Sequence, residues 1–101
     1  MKRVVITGMG VVSPVGNTIE DFWNSLKAGK HGFSYVNDVT GDDFDVKIAA
    51  RVKEFTPDKY VEKKESRRMD RFTQFAVNAS LDALADSGSD FKDLDPFRAG
   101  V

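Results

Sequence analysis

Arg3-Val4-Val5-Ile6-Thr7-Gly8-Met9-Gly10-Val11-Val12-Ser13-Pro14-Val15-Gly16-Asn17 stands at the start of the chain, and its reading decides the fold. From Val4 to Ser13 the residues are β-branched and punctuated by glycine, with apolar side chains at consecutive positions instead of alternating ones. A strand written that way expects burial on both faces, as in the middle of a parallel or mixed sheet covered by helices. Pro14 and Gly16 then turn the chain. Asn17 or Thr18 can cap a helix, with Glu20 or Asp21 at capping-box spacing. Ile19, Phe22, Trp23 and Leu26 follow at i, i+3, i+4 and i+7, which places them on one helical face. Gly29 is a natural terminator. Strand, turn and amphipathic helix in that order point to the α/β class.

Outward from this unit the signal weakens. Residues 31–45, with Asp38, Asp42, Asp43 and Asp45, read as an exposed loop. Val46, Ile48, Ala50 and Val52 alternate with Lys47, Ala49, Arg51 and Lys53, the pattern of a half-exposed strand. Thr56-Pro57 offers a capping residue followed by proline at the first helical position, so a short helix is expected there. A longer helix is expected from near Asp70 to Gly88, burying Phe72, Phe75, Ala76, Ala79 and Ala83 on one side. Arg98-Ala99-Gly100-Val101 resembles the beginning of another strand, so the chain reads as cut short. No repeat, low-complexity tract or linker divides it, and residues 1–101 read as one unit.

Composition narrows the chemistry. The 101 residues are 41% hydrophobic and 31% charged with a net charge of -1, an ordinary globular balance with room for a modest core. That charge argues against a general nucleic-acid binder, which needs an excess of Lys and Arg. Cysteine is absent and His31 is the single histidine. These counts remove disulfides, thiolate metal sites and a cysteine nucleophile, and they yield no catalytic, metal or cofactor residue. Lys2-Arg3 ahead of an apolar stretch faintly imitates a secretory leader. Gly8, Gly10, Ser13, Pro14 and Gly16 interrupt it, and no apolar run approaches the roughly 20 residues of a membrane span. A cytoplasmic protein with no membrane contact is expected.

Three groups of residues carry candidate chemistry. Gly8-Met9-Gly10 after a strand suggests a dinucleotide fingerprint, but Ser13 stands at the third glycine position and Pro14 delays the helix. Close packing of the strand explains the glycines better. His31, in Gly29-Lys30-His31-Gly32, has a helix C-terminus behind it and no evident orienting partner, so it reads as a surface residue. Lys59, Lys63, Lys64, Arg67, Arg68 and Arg71 face only Glu62, Glu65 and Asp70 in the same stretch, a local excess of three positive charges. On a helix Lys63 meets Arg67, and Lys64 meets Arg67 and Arg68. This is either a solvated face or a patch that attracts an acidic partner, chiefly by speeding encounter. No aromatic side chains interleave it as a base-stacking surface requires.

The opening stretch Arg3 to Asn17 resembles the start of β-ketoacyl synthases. Lys63-Lys64-Glu65-Ser66-Arg67-Arg68-Met69-Asp70-Arg71-Phe72-Thr73-Gln74-Phe75-Ala76 resembles a second block of the elongating type II enzymes of that family. Trp23, Gly29 and Gly32 also fall where the family tends to have them, and Phe75 replaces its more usual tyrosine. The resemblance implies part of a thiolase-like fold, namely the N-terminal part of its first α/β half, from a much longer chain that forms a homodimer. It implies a decarboxylative Claisen condensation in fatty-acid elongation, in which a cysteine thiolate takes the acyl group. Two histidines and backbone N–H donors then stabilise the developing charge. No metal or redox cofactor is implied. The family's cysteine and histidines lie beyond Val101, so these residues alone are expected to be inactive. The resemblance also makes Lys64, Arg67 and Arg68, with Lys63 beside them, the contact for acidic acyl carrier protein. Aromatic-polyketide ketosynthases and their chain-length partners share both blocks, and a standalone module binding an acidic partner is the reading from a different class.

Overall fold

A computed structural model describes residues 1–38 and 45–100. Among them lie α1 (Ile19–Lys27), β1 (Phe33–Tyr35), β2 (Ile48–Ala50), α2 (Lys63–Ser66) and α3 (Arg71–Ser87), with 3-10 turns at Pro57–Lys59 and Pro96–Arg98. The helix at the start forms as its spacing requires. Thr18 is the cap: its hydroxyl accepts the Asp21 N–H at 3.1 Å, satisfying a donor that the helix leaves without a partner. Glu20 and Asp21 in the first turn and Lys27 in the last complement the helix dipole. Gly29 follows at φ +66°, a left-handed conformation natural to glycine. The long helix α3 also runs as expected, from the extended cap Asp70 to Gly88 at φ +65°.

The opening segment is not the sheet strand its composition suggests. Among the described residues, its one β pairing is a bridge between Ser13 and Gly16 across the Pro14-Val15 turn, at 3.0 and 3.3 Å. A strand needs a neighbour to take up its N–H and C=O groups, and no described segment lies alongside as one. Val4 and Ile6 consequently stay 96% and 83% exposed instead of buried on both faces. The segment rests instead on α3. A Cβ at Gly8 would stand 2.1 Å from the Ala83 carbonyl oxygen, and one at Gly10 would stand 1.9 Å from that of Ala79. The Met9 N–H donates to the Asp86 carboxylate at 2.9 Å beside this contact. The glycines thus serve close backbone packing.

Four further expectations change. Phe33–Tyr35, read as loop, is a strand; it pairs antiparallel with Ile48–Ala50, Phe33 opposite Ala50 and Tyr35 opposite Ile48. Its three residues are too few to show a period. Along β2 the inward residue is Ala49, while Ile48 and Ala50 face out, the reverse of the face predicted from the alternation. Thr56-Pro57 starts only a 3-10 turn, with proline at its head and no capping bond from Thr56. No strand forms at residues 98–100, where Arg98 closes the turn that Asp95 caps. Residues 39–44, part of the predicted loop, and Val101 lie outside the described residues.

The apolar faces are only partly covered. On α1, Ile19 and Phe22 are half-buried while Trp23 and Leu26 are exposed. On α3, Phe75, Ala79 and Ala83 are half-buried, but Phe72 and Ala76, predicted inward, are exposed. Among the described residues Val36 is the one buried hydrophobic side chain; Gly32 and the polar Ser66 and Asn78 are also buried. The radius of gyration is 17.4 Å, against about 13 Å for a compact chain of this length. The accessible surface is 8724 Å², where a closed domain of this mass shows roughly 5,700 Å². Among the described residues no closed core forms.

Candidate functional site

The basic stretch folds into a short connector between β2 and α3, and the structure sorts its six cations into two groups. Lys59 and Arg71 are exposed but engage other side chains. The Lys59 ammonium lies 2.5 Å from Oδ1 of Asp82, which also accepts the Tyr60 hydroxyl at 2.5 Å. Burial alone pushes the Asp82 carboxyl up, but the hydrogen bonds from Lys59 and Tyr60 outweigh it and hold the group below the usual carboxylate range. The bond to Asp82, reinforced by Tyr60, raises the Lys59 ammonium above its ordinary value. Arg71 lies over two aromatic rings, 5.7 Å from the centre of Phe55 and 5.2 Å from that of Phe75. Those rings meet edge to face at 4.9 Å. A cation held over aromatic faces is attracted to their π electrons.

Lys63, Lys64, Arg67 and Arg68 remain outward. All four are exposed, and no described carboxylate lies within ion-pair distance of them. α2 carries Lys63 and Lys64 and is one turn long; Arg67 is its C-cap and Arg68 lies just beyond, where the backbone tightens. The Arg67 N–H still reaches the Lys63 carbonyl at 3.3 Å, the helical i to i+4 step expected for that pair. The Arg68 N–H instead reaches Glu65 at 2.9 Å, so the helical spacing predicted for Lys64 and Arg68 gives way to a tighter turn. Within four exposed cations the repulsion is relieved only by solvent and salt, a surface suited to an anionic partner.

Sequence reasoning missed what holds this connector. Gln74 donates to the Ser66 carbonyl at 2.7 Å, Asn78 to the Pro57 carbonyl at 3.4 Å, and Asp82 accepts Lys59 and Tyr60. Their signal was available: three polar residues at i, i+4 and i+8 within a helix otherwise rich in alanine and leucine. His31 is exposed beside the Phe33 ring at 6.1 Å, which agrees with a surface residue. No helix starts at Gly8 to Ser13, so the glycines present no helix N-terminus to a pyrophosphate.

The sequence model of the β-ketoacyl synthase N-terminal domain matches residues 1–101. The chain belongs to the β-ketoacyl synthase family. Among its relatives is a 3-oxoacyl-[acyl-carrier-protein] synthase 2 of Vibrio cholerae, 41% identical over 100 residues. Proteins of the same name from Staphylococcus aureus strain N315 and from Synechocystis are 40% and 37% identical over the same length. Each alignment covers 99% of this chain and 24% of the relative, so the chain spans about a quarter of the length of the curated relatives it matches. The two blocks of the β-ketoacyl synthase resemblance now have different physical meanings. The first packs as backbone against α3, and the second presents the cations. Among the described residues no helix is long and apolar enough to cross a membrane.

Proposed function

We propose that this chain is the N-terminal part of a fatty-acid-elongating β-ketoacyl synthase and that Lys63, Lys64, Arg67 and Arg68 dock acidic acyl carrier protein. The observation that carries the reading is the set of four exposed cations, with no described carboxylate in ion-pair distance, in a member of this family. The relatives' names include an acyl carrier protein, and the engagement of Lys59 and Arg71 with other side chains supports assigning the docking charge to the other four. The parent enzyme condenses malonyl-carrier with acyl-carrier. Loss of carbon dioxide generates the carbon nucleophile, which displaces the acyl group from an enzyme thioester to give 3-oxoacyl-carrier. With no cysteine and one exposed histidine, these 101 residues supply docking charge and scaffold to that reaction, and are inactive alone. The uncovered Val4 to Ile6 edge supports a longer protein with a thiolase-like fold, a cytoplasmic homodimer, in which residues 1–101 form part of the first half.

The test is the intact mass of the protein from its native source, followed by a condensation assay. A mass about four times that of this chain, with 3-oxoacyl product formed from malonyl-carrier, supports the reading. A mass equal to this chain alone rejects condensation, leaving only a module that binds an acidic partner.

A further inference from the structure

We infer that Gln74, Asn78 and Asp82 are positioning residues, a polar stripe on α3 that fixes the backbone of residues 57–69 and thereby the geometry of the four outward cations. This rests on the docking reading above. Four residues apart on a helix, the three side chains stand roughly 6 Å apart along its axis, each turned about 40° from the last. Each grips a different point of the connector. The Gln74 amide donates to the Ser66 carbonyl at 2.7 Å and, at 3.4 Å, to that of Met69, bracketing Arg67 and Arg68 between two anchored carbonyls. Asn78 donates to the Pro57 carbonyl at 3.4 Å while bonding Gln74 within the helix at 2.9 Å. Asp82 takes both Lys59 and Tyr60 on one oxygen.

Burial marks the same place independently. Ser66 and Asn78, 2% and 3% exposed, are the most deeply buried polar residues described, below any described hydrophobic side chain. Apolar contacts hold a surface by area and tolerate sliding. A buried amide or hydroxyl loses its bond when its partner slides, and leaving it unpaired is costly. A polar seam is therefore suited to fixing one geometry, at the expense of apolar burial. A patch on a one-turn helix and the two residues after it needs such support, because a single turn is not stable by itself.

The test uses the intact protein and purified acyl carrier protein, with association and dissociation rates measured across a salt series. Arg67→Glu tests the docking reading: it lowers association and flattens the salt dependence, because charge sets encounter. Gln74→Met leaves every charge in place. It is expected to keep association within about twofold while dissociation rises about three- to tenfold, since a loosened turn is steered as before but held less well. Hydrogen exchange at the Arg67, Arg68 and Met69 amides then rises while that of residues 79–83 in α3 does not. Asp82→Ala and Asp82→Asn remove the same charge, but asparagine keeps an oxygen for Lys59 and Tyr60. Faster dissociation in the first, rescued in the second, supports positioning.

If Arg67→Glu acts but Gln74→Met and Asp82→Ala leave dissociation unchanged, the inference is overturned and the docking reading stands. If no variant changes either rate, both fall. Should Gln74→Met unfold the protein, Tyr60→Phe, which deletes one hydrogen bond, decides in its place. Faster dissociation supports the stripe, and an unchanged rate overturns it.

Discussion

Charge reversal at Arg67 separates the docking cations from the structural ones. An exposed ion pair contributes about 0.2–1 kcal/mol. Arg67→Glu removes one such attraction and installs a repulsion of similar size, so the loss is about 0.4–2 kcal/mol, or roughly 2- to 30-fold in Kd at low salt. Arg67 is exposed with no described carboxylate beside it, so its removal leaves no internal partner stranded. The effect shrinks as the Debye length falls from about 10 Å at 0.1 M salt to about 3 Å at 1 M. Arg71→Gln is the matched control. Its guanidinium lies over Phe55 and Phe75, so its loss costs about 0.5–1 kcal/mol of stability and leaves association within about twofold. Stopped-flow association with acyl carrier protein at several salt concentrations, beside thermal melts of both variants, gives the comparison. Arg71→Gln slowing association as much as Arg67→Glu, with an unchanged melt, would refute the sorting of the six cations.

Three other outcomes are expected. Gly10→Ala places a methyl group 1.9 Å from the Ala79 carbonyl oxygen, so the opening segment must lift from α3 at a cost of about 1–3 kcal/mol; an unchanged melting temperature of the intact protein would contradict that packing. The folded state holds Asp82 below its ordinary value, so its ion pair stabilises above the unfolded carboxylate range near pH 3.9 and this contribution is lost as pH falls through the lower folded value. Asp82→Asn should therefore reduce stability at neutral pH and show a shallower acid limb in denaturant titrations between about pH 5 and 2, whereas parallel limbs would reject the linkage. The 101 residues in isolation should self-associate and bind hydrophobic dyes, because Val4, Ile6, Phe72 and Phe97 stand exposed without a closed core; a sharp two-state melt of a monodisperse monomer would sink this.

Local rules decided much of the chain. The Thr18 cap, the left-handed glycines after α1 and α3, and the length of α3 follow from hydrogen-bond needs within a few residues, and these are written in the sequence itself. The outward cations were legible as a cluster for the same reason, since Lys63 to Arg68 are neighbours whatever the fold. Other features depend on what lies across from a segment. Val4 to Ser13 has the composition of a central strand but lacks a described neighbour, and a strand exists only as half of a pair. Phe33–Tyr35 became a strand because Ile48–Ala50 reaches it, which no pattern in three residues announces. Likewise, charge alone could not distinguish Lys59 and Arg71 from Lys64 and Arg67. Asp82, Phe55 and Phe75 made that distinction from 23, 16 and 4 positions away by engaging two cations and leaving four with no described carboxylate beside them. Sequence determines which groups need partners over a short span, and tertiary structure decides which partner arrives, because long-range contacts depend on where the whole backbone has travelled.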